Sequence, residues 1–449
     1  MKILICSKLF YPSNSIGAVR PSNFAKYLAQ YGHNVTIVTK KNGSDIQPDD
    51  LFVIRTDQSR IVSKIVRINQ SRLNKKGIQS TKNENISSKK AKNGFLKSGM
   101  IKLKNKISQS ISLMFLIVID MDWYFASRSV INKKFGKNHF DLVISSYGPL
   151  SSALLGIHAS KSGIAKNWIA DFRDNMVNEE YPGWTNLMYR CIENKIIKRA
   201  DIITFVSNGQ KNMFVTNHAK KLSGLNNIQI IYNGYEEAFD SNKISKKEPV
   251  LRLCYTGQLY AGKRDLSMLF RVIGDLINES MIDKNKIEFV YAGPNSTDLK
   301  YQLKKDLNLD YILRDFGFVE RKTAIELQNK SDLLIALSWN TKKEQGILTG
   351  KFLEYLQSSK PIISLTTGDL PDSELSGMIT RLNLGIACEY CTYEIDYASL
   401  KKYIYMQYLA VISGLKVDYR PDWETIKTFH YPHIVTILNS LCEDLVYKR

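Results

Sequence analysis

The sequence predicts an α/β protein built from two doubly wound parallel sheets, and three observations support this fold class. The 449 residues exceed what one hydrophobic core usually holds, which is about 250–300 residues. Short apolar runs alternate with helical patterns along the chain, as in parallel sheets covered by helices on both faces. A polar stretch at 240–248 divides these runs into two series. We therefore expect domains at 1–238 and 249–415, and a helical segment at 416–449 that crosses back to the first domain.

Each predicted strand is a short aliphatic run that ends at polar or turn-forming residues. In the first domain we expect a helix near 21–31 and strands at 2–9, 35–39, 52–56, 141–146, 168–171, 202–207 and 228–232. In the second domain we expect strands at 251–256, 287–292, 312–316, 332–337, 361–365 and 385–388. Ligands of doubly wound sheets bind beyond the carboxyl ends of the strands. The predicted site is therefore a cleft between the two domains, lined by residues that follow these strands.

The charge of the chain is concentrated in one segment. The net charge is +20, and residues 60–106 contain fourteen Lys and Arg against one acid, Glu84. We interpret the Lys-, Asn- and Ser-rich stretch at about 58–110 as an insertion in the first domain. With the apolar run 111–119, residues 60–119 would dock on an anionic membrane surface. The alternative is a solvated helical arm without a partner. Nucleic acid is not an expected partner, because interleaved aromatic residues and a recognised reading module are missing.

These features predict a cytoplasmic protein that binds peripherally to the inner face of the plasma membrane. The apolar run 111–119 is far shorter than the roughly 20 residues that span a bilayer. No export signal is recognised at the start of the sequence. The six cysteines are scattered along the chain, which fits a reducing compartment. No cofactor is expected, and no metal either, because the Asp-x-Asp at 120–122 lies away from the strand ends.

Two segments of the second domain carry the predicted phosphate-binding groups. After the strand at 251–256, Gly257 permits a close backbone approach, and Lys263 and Arg264 place positive charge near a helix start. Thr349-Gly350-Lys351 is expected to open another helix, whose N–H groups and lysine attract phosphate. Glu354, one turn later, can accept hydrogen bonds from a ribose diol. Lysine and glutamate three residues apart are also an ordinary solvated helix pair, so the segment alone is ambiguous.

Other candidates follow strands or precede helices at the same predicted edge. In the first domain, Gly17 precedes a helix, and Arg173 and Asp174 follow the buried strand at 168–171. Charges in such a place are costly unless they are paired or functional, so Arg173 is either a site residue or a salt-bridge partner. In the second domain, a backbone loop able to clamp a base and the loop that leads into Thr349 complete the set: Gly317, Phe318, Val319, Glu344, Gly346, Ile347 and Leu348.

These segments, in this order, resemble the GT-B glycosyltransferases, and among them the retaining family 4. The likeness covers nearly the whole chain and is carried by Gly17-Ala18, residues 170–174, Tyr232-Asn233-Gly234, residues 257–264 and residues 350–356 with Pro361. The resemblance implies two Rossmann-like domains and a nucleotide-sugar donor. It also implies that Arg264 and Lys351 hold the pyrophosphate, that Glu354 binds the ribose, and that Gly17 lies near the transferred sugar.

One position departs from the family pattern. The family usually has a second glutamate eight residues before the ribose-binding one, where this chain has Gly346. Either Glu344 or the N–H groups of Gly346, Ile347 and Leu348 would then hold the sugar. We expect a retaining, metal-independent transfer to a saccharide or polyprenyl-linked acceptor in cell-surface polysaccharide synthesis, with Arg173 and Asp174 orienting the acceptor. The alternatives are a catalytically inactive nucleotide-sugar-binding partner subunit and a nucleotide-sugar epimerase.

Overall fold

The structure is a computed structural model. It describes residues 1–13, 15–42, 48, 51–59, 62, 94–178, 181–222, 227–236, 249–260, 262–294, 296–304, 308–415 and 419–448, with the backbone alone for 94–109. The predicted linker at 240–248 lies wholly outside the described residues, and so does most of the basic insertion, at 60–61 and 63–93.

The chain forms two compact units. The first consists of Met1–Thr204, Lys221–Gln229 and Leu438–Arg449, and the second consists of Phe205–Lys220 and Ile230–Ile437. The C-terminal end of the chain is therefore part of the first unit, although the residues just before it belong to the second.

A seven-stranded sheet forms the centre of the N-terminal part of the chain. Its strands are β1 (Lys2–Cys6), β2 (Asn34–Lys40), β3 (Phe52–Thr56), β4 (Phe140–Tyr147), β5 (Ala165–Phe172), β6 (Ile202–Phe205) and β7 (Ile228–Ile230). The helices along this part are α1 (Ile16–Gln30), α2 (Gly94–Lys134), α3 (Leu150–Lys161), α4 (Gly183–Ile197) and α5 (Asn208–His218). The order β3-β2-β1-β4-β5-β6-β7 reverses direction between β1 and β4, which is where doubly wound sheets open a ligand crevice.

A six-stranded, all-parallel sheet forms the centre of the second unit. Its strands are β8 (Leu251–Thr256), β9 (Ile287–Ala292), β10 (Leu313–Asp315), β11 (Leu333–Trp339), β12 (Ile362–Thr367) and β13 (Gly385–Glu389). The following helices are α6 (Ser267–Asn278), α7 (Thr297–Lys304), α8 (Arg321–Lys330), α9 (Gly350–Tyr355), α10 (Glu374–Arg381), α11 (Tyr393–Ile412), α12 (Trp423–Lys427) and α13 (Tyr431–Tyr447). The order β10-β9-β8-β11-β12-β13 places the switch point between β8 and β11.

Both faces of the second sheet are buried, which explains why its strands are apolar without interruption. Successive side chains of a strand point to opposite faces. Leu253 and Tyr255 of β8 accordingly pack in the core that includes residues of α6 and α11, whereas Cys254 packs in the core that includes residues of α9 and α10. The predicted fold class, two parallel-stranded α/β sheets with helices, is confirmed.

The described strands coincide with the predicted ones to within three residues at each end, but the first helix begins earlier than expected. Helix α1 starts at Ile16 instead of near residue 21, and the Ser15 hydroxyl at its N-terminus accepts a hydrogen bond from the Gly17 N–H at 3.3 Å. Pro21 lies inside this helix and lacks the N–H that would bond to the Gly17 carbonyl four residues earlier. That carbonyl is therefore free for another donor.

The basic insertion ends in the longest helix of the described chain, α2, which has 41 residues. By length and composition alone, its Ser110–Lys134 part could cross a membrane. The expectation that the apolar segment is far too short to span a bilayer is therefore wrong on this criterion. The error arose because only the uninterrupted run 111–119 was counted, whereas the apolar character continues past Asp120 and Asp122.

Candidate functional site

The loop after β8 holds a buried guanidinium at the switch point of the second sheet. Arg264 is 9% exposed, and its Nη1 donates hydrogen bonds to the Gln258 carbonyl at 2.9 Å and to the Tyr255 hydroxyl at 3.3 Å. Its guanidinium carbon lies 4.4 Å from the centre of the Tyr260 ring. The buried Nε–H has no acceptor, and Arg264 forms no ion pair with any residue that the structure describes. A buried charge without a counter-ion is costly, so this site favours an anion.

Beside Arg264, Lys263 and Glu344 meet at the end of β11. The Lys263 ammonium lies 2.7 Å from Glu344 Oε2, and the Trp339 indole N–H donates to the same oxygen at 2.8 Å. The Lys263 ammonium also lies 4.8 Å, and the Arg264 guanidinium carbon 5.7 Å, from the centre of the Trp339 ring. Three candidate residues from the sequence, Lys263, Arg264 and Glu344, thus lie together in the structure. Trp339 is a further member of this cluster, and both cations lie against its ring.

Lys351 and Glu354 form a second polar cluster, at helix α9. The Lys351 ammonium lies 2.9 Å from Glu354 Oε1, which also accepts a hydrogen bond from Gln328 Nε2 at 2.7 Å. The Arg321 guanidinium lies 3.6 Å from the other carboxylate oxygen. Gln328 also donates to Thr256 at the end of β8, so this cluster lies near the same switch point. The Lys351–Glu354 helix pair is present, and Glu354 is mostly buried between two cations.

Helix α9 itself is short. It begins after Thr349, whose hydroxyl caps the Phe352 N–H at 3.3 Å, and it runs only from Gly350 to Tyr355. The field of a helix N-terminus grows with the number of aligned peptide units. Phosphate binding at this segment would therefore depend on the Lys351 side chain more than on the helix.

The loop before α9 explains why residue 346 is glycine. Gly346 has φ +69°, a conformation that side-chain-bearing residues rarely adopt. A Cβ atom there would lie 2.4 Å from Ser207 Oγ, 2.8 Å from the Gln210 nitrogen and 2.8 Å from the Gly209 Cα. A glutamate therefore does not fit at this position. The loop is held further by the Ile347 carbonyl, which accepts a hydrogen bond from Ser338 Oγ at 2.7 Å.

The loop after β10 presents exposed aromatic side chains. Gly317 has φ +61°, its N–H donates to Asp315 Oδ1 at 3.0 Å, and its carbonyl accepts from the Gly293 N–H at 2.8 Å. These bonds fix the turn and leave Phe318 83% exposed and Phe316 50% exposed. Val319, also predicted to line a base site, is half-buried. An exposed phenylalanine on a fixed turn is a surface on which a base can stack.

In the first unit, the strand end at 171–174 contains a buried ion pair. Arg20 of α1 donates to both carboxylate oxygens of Asp171, with a shortest distance of 2.7 Å, and both side chains are 1% exposed. Ser146 and Thr204 donate to the same carboxylate at 2.9 and 2.8 Å. Burial raises the pKa of Asp171, but the Arg20 charge and these hydrogen bonds outweigh burial and hold the pKa below its usual value. This pair is structural, because its groups are satisfied by one another.

Arg173 is held by backbone carbonyls. It donates to the carbonyl of Gly17, which Pro21 leaves free, to that of Gly148, and to that of Tyr147 at 3.2 Å. A Cβ atom at Gly17 would lie 2.9 Å from Arg173 Nη1 and 2.7 Å from a Leu9 methyl carbon. The predicted close approach at Gly17 is therefore filled by side chains of this protein. Arg173 fixes the loops that surround it.

Asp174 differs from its neighbours because solvent reaches its side chain. Desolvation by the surrounding protein raises the pKa of the carboxyl group, and the Arg173 charge partly opposes this effect. Gly148, with φ +109°, passes so close that a Cβ there would lie 2.7 Å from Asp174 Oδ2. Asp174 is thus an accessible carboxyl group at the end of β5, placed where it can accept a proton or a hydrogen bond.

Within the described part of the chain, no three His, Cys, Asp or Glu side chains lie close enough together to hold a metal ion.

Solved structures of the same architecture cover the whole chain. HepE from Anabaena, solved in complex with UDP and glucose, has a TM-score of 0.58 and 12% identity over 99% of this chain and 100% of that one. The trehalose-6-phosphate synthase OtsA has a TM-score of 0.61 and 9% identity over 99% of both chains. Sucrose-phosphate synthase from Thermosynechococcus elongatus has a TM-score of 0.57 and 11% identity over 100% of this chain and 99% of that one. All three are GT-B glycosyltransferases. The chain has the GT-B fold. No protein-family model and no curated protein sequence matches it significantly.

Several residues of the candidate site were not anticipated from the sequence. Trp339, Gln328 and Arg321 take part in the two polar clusters of the second unit, and Glu374 accepts hydrogen bonds from the Asn208 and Gly209 N–H groups at 2.9 Å each. Trp339 could have been found from the sequence, since it lies two residues after the predicted strand at 332–337. The other three lie inside or at the start of helices, where an ordinary polar residue has the same appearance.

Proposed function

We propose that the protein is a glycosyltransferase that transfers a sugar from a nucleotide-sugar donor, and that the second unit binds the donor diphosphate. The observation that carries this proposal is the buried Arg264 guanidinium at the β8–β11 switch point, which has an unsatisfied Nε–H and no acidic partner among the described residues. A diphosphate supplies the missing negative charge in the geometry that guanidinium groups match best.

The chemistry follows from the charges around the leaving group. Departure of a nucleoside diphosphate places negative charge on its phosphate oxygens, and preorganised cations there lower the barrier. Arg264 and Lys351 would supply these cations without a metal ion, Glu354 would bind the ribose, and Phe318 would stack on the base. The donor phosphate would accept the proton of the acceptor hydroxyl, in a transfer with retention of configuration. Asp174 and Arg173 would orient the acceptor.

The loop at residues 344–348 would hold the donor sugar through its backbone. Glu344 is already bonded to Lys263 and Trp339, and Gly346 has no room for a longer side chain. The Leu348 N–H already donates to the Gly346 carbonyl at 3.1 Å, and the Gly346 nitrogen is packed against Gly209, so the Ile347 N–H would be the candidate for a sugar hydroxyl.

The acceptor would be a saccharide or a polyprenyl-linked saccharide of a cell-surface polysaccharide, processed at the cytoplasmic face of the plasma membrane. The basic composition of residues 60–106 supports this location, since clustered lysines bind anionic headgroups at about 1 kcal/mol each.

A donor screen followed by a matched pair of variants tests the proposal. Stabilisation of the protein by sugar nucleotides would be measured by thermal shift, starting with UDP-glucose because HepE was solved with it. With the donor found, we expect Lys351→Ala to lower transfer by about 100-fold or more while the fold survives. Lys427→Ala is the control, since it removes a Lys–Glu pair of the same three-residue spacing from α12. Normal transfer by Lys351→Ala would contradict the assignment.

The same assay separates the alternatives. An isomerised sugar after incubation with donor alone would indicate an epimerase. Tight nucleotide binding by calorimetry, with no transfer to any acceptor in a panel of lipid-linked saccharides, would indicate an inactive partner subunit.

A further inference from the structure

The C-terminal half of helix α2 is attached to the first unit along one face. Asp120, Trp123, Ser127 and Ile131 are buried, and they recur at spacings of three and four residues, which places them on one side of the helix. Asp120 forms a 2.5 Å ion pair with Lys8, and the Ser127 hydroxyl lies 2.8 Å from that of Thr56. These bonds fix the rotation of the helix about its axis.

The opposite face of the same helix carries exposed apolar side chains, beside the half-buried Asp122, which accepts a hydrogen bond from the Ser59 N–H at 2.8 Å. Ile111, Met114, Val118 and Phe125 are 65%, 61%, 50% and 57% exposed, and at about 100° per residue they lie on the side away from the buried face. The stripe is about 21 Å long, from the rise of 1.5 Å per residue. Surface helices of soluble proteins show the reverse arrangement, with the apolar face inward. An apolar outer face of this length indicates a binding surface.

Crossing of the membrane does not fit this helix. A span needs about 20 residues surrounded by lipid. From Asp120 onward one face of the helix is packed on the protein, and residues 97–106 carry four lysines, so the uncharged part before Asp120 is only 107–119, which is about 20 Å of helix. A helix that lies in the plane of the interface needs only one apolar face.

We propose that α2 lies flat on an anionic lipid bilayer, with the stripe Ile111, Met114, Val118 and Phe125 inserted among the acyl chains. The distribution of charge along α2 favours an anionic bilayer as the partner of this stripe. Residues 94–119 contain four lysines and no acid, and Lys133 and Lys134 end the helix, so positive charge flanks the apolar stripe on both sides. That combination is typical of helices that bind the surface of anionic membranes. The inference deepens the membrane location given in the proposed function, but it does not depend on the transfer reaction.

The test uses two aspartate substitutions on the same helix. Val118→Asp places a charge on the stripe, whereas Leu116→Asp places one at a position of similar exposure, 59%, on the side of the buried face. Binding of the full chain to vesicles of phosphatidylglycerol and phosphatidylcholine would be measured by sedimentation. We expect Val118→Asp to weaken binding at least about tenfold and Leu116→Asp to weaken it less than about threefold. Vesicles of phosphatidylcholine alone should bind the unchanged protein weakly.

Other outcomes would overturn the proposal. Equal losses in the two variants would show that the helix is not oriented by its outer face. Unchanged vesicle binding in Val118→Asp, together with loss of a dimer seen by light scattering, would assign the stripe to a second copy. Stronger vesicle binding after deletion of residues 63–93 would show that this segment covers the stripe. Nucleotide-sugar binding, measured by thermal shift without lipid, should be the same in all variants, so failure here is distinguishable from failure of the proposed function.

Discussion

Replacement of Gly346 by alanine measures how tightly the loop before α9 is constrained. Two costs add at this position. Alanine at φ +69° costs about 1–2 kcal/mol, because its Cβ crowds the following carbonyl. The same Cβ would lie 2.8 Å from the Gln210 nitrogen and 2.8 Å from the Gly209 Cα, backbone atoms that cannot rotate away, and overpacking of this kind costs about 1–3 kcal/mol. We therefore expect Gly346→Ala to lower the free energy of unfolding by about 2–5 kcal/mol.

Gly414 provides the matched control. It has φ +67°, nearly the same as Gly346, but a Cβ atom there meets nothing within 4 Å. Gly414→Ala should therefore show only the backbone cost of about 1–2 kcal/mol. The difference between the two variants isolates the close packing of Gly346 against Gly209 and Gln210.

The measurement is urea denaturation of both variants and the unchanged protein, with the shift of the transition midpoint converted through the slope of unfolding free energy against urea. If Gly346→Ala and Gly414→Ala shift the midpoint equally, the close approach does not constrain residue 346. Gly346→Glu extends the test, since it introduces the glutamate that is usual in the family 4 enzymes which the sequence resembles. We expect it to be at least as destabilised as Gly346→Ala and to gain no transfer activity.

Two further predictions concern the buried ion pair and the base site. Asp171→Asn should lower the free energy of unfolding by about 3–5 kcal/mol, because it removes the carboxylate charge that faces the buried Arg20 guanidinium. Folding lowers the pKa of Asp171, so the stability from this pair is present above its unfolded pKa of about 4 and is lost as the pH falls through the folded pKa. When the unfolding midpoint is followed down the acid range, the Asn variant should therefore lose less stability than the unchanged protein. Phe318→Ala should weaken nucleotide binding by calorimetry about 5- to 150-fold, as expected for a lost stacking contact of about 1–3 kcal/mol, whereas Tyr301→Ala, also exposed at 64%, should not.

The strands were predictable from the sequence because both faces of each sheet are buried. A strand such as β8 must then be apolar along its whole length, and its ends at Leu251 and Thr256 coincide with the prediction. The start of α1 was not predictable in the same way. Proline normally marks a first turn, and Pro21 is tolerated inside this helix because Arg173, far along the chain, bonds the carbonyl that proline leaves free.

Long-range packing also explains what the sequence did not reveal about α2 and the site. A heavily basic insertion followed by the mostly apolar run 111–119 indicates an unusual surface, but only the burial of Trp123 and Ile131 shows which side of the helix faces outward. Likewise, Lys263 and Arg264 were identifiable as candidates from a glycine-containing loop after a strand. The sequence did not show that Lys263 pairs with Glu344, whereas Arg264 has no acidic partner among the described residues.

The partners of Lys263, Arg264 and Lys351 determine how much rearrangement each cation needs before it can bind phosphate. Lys263 is neutralised by Glu344 and Lys351 by Glu354, so either lysine must share or leave a carboxylate when a diphosphate arrives. Arg264 has no carboxylate to leave among the described residues, and part of its guanidinium lacks any acceptor. Binding an anion therefore relieves an existing cost at Arg264 but requires rearrangement at both lysines. The diphosphate should accordingly be held first by Arg264, with Lys351 joining as the leaving group gains charge, which is the stage at which a cation accelerates the reaction.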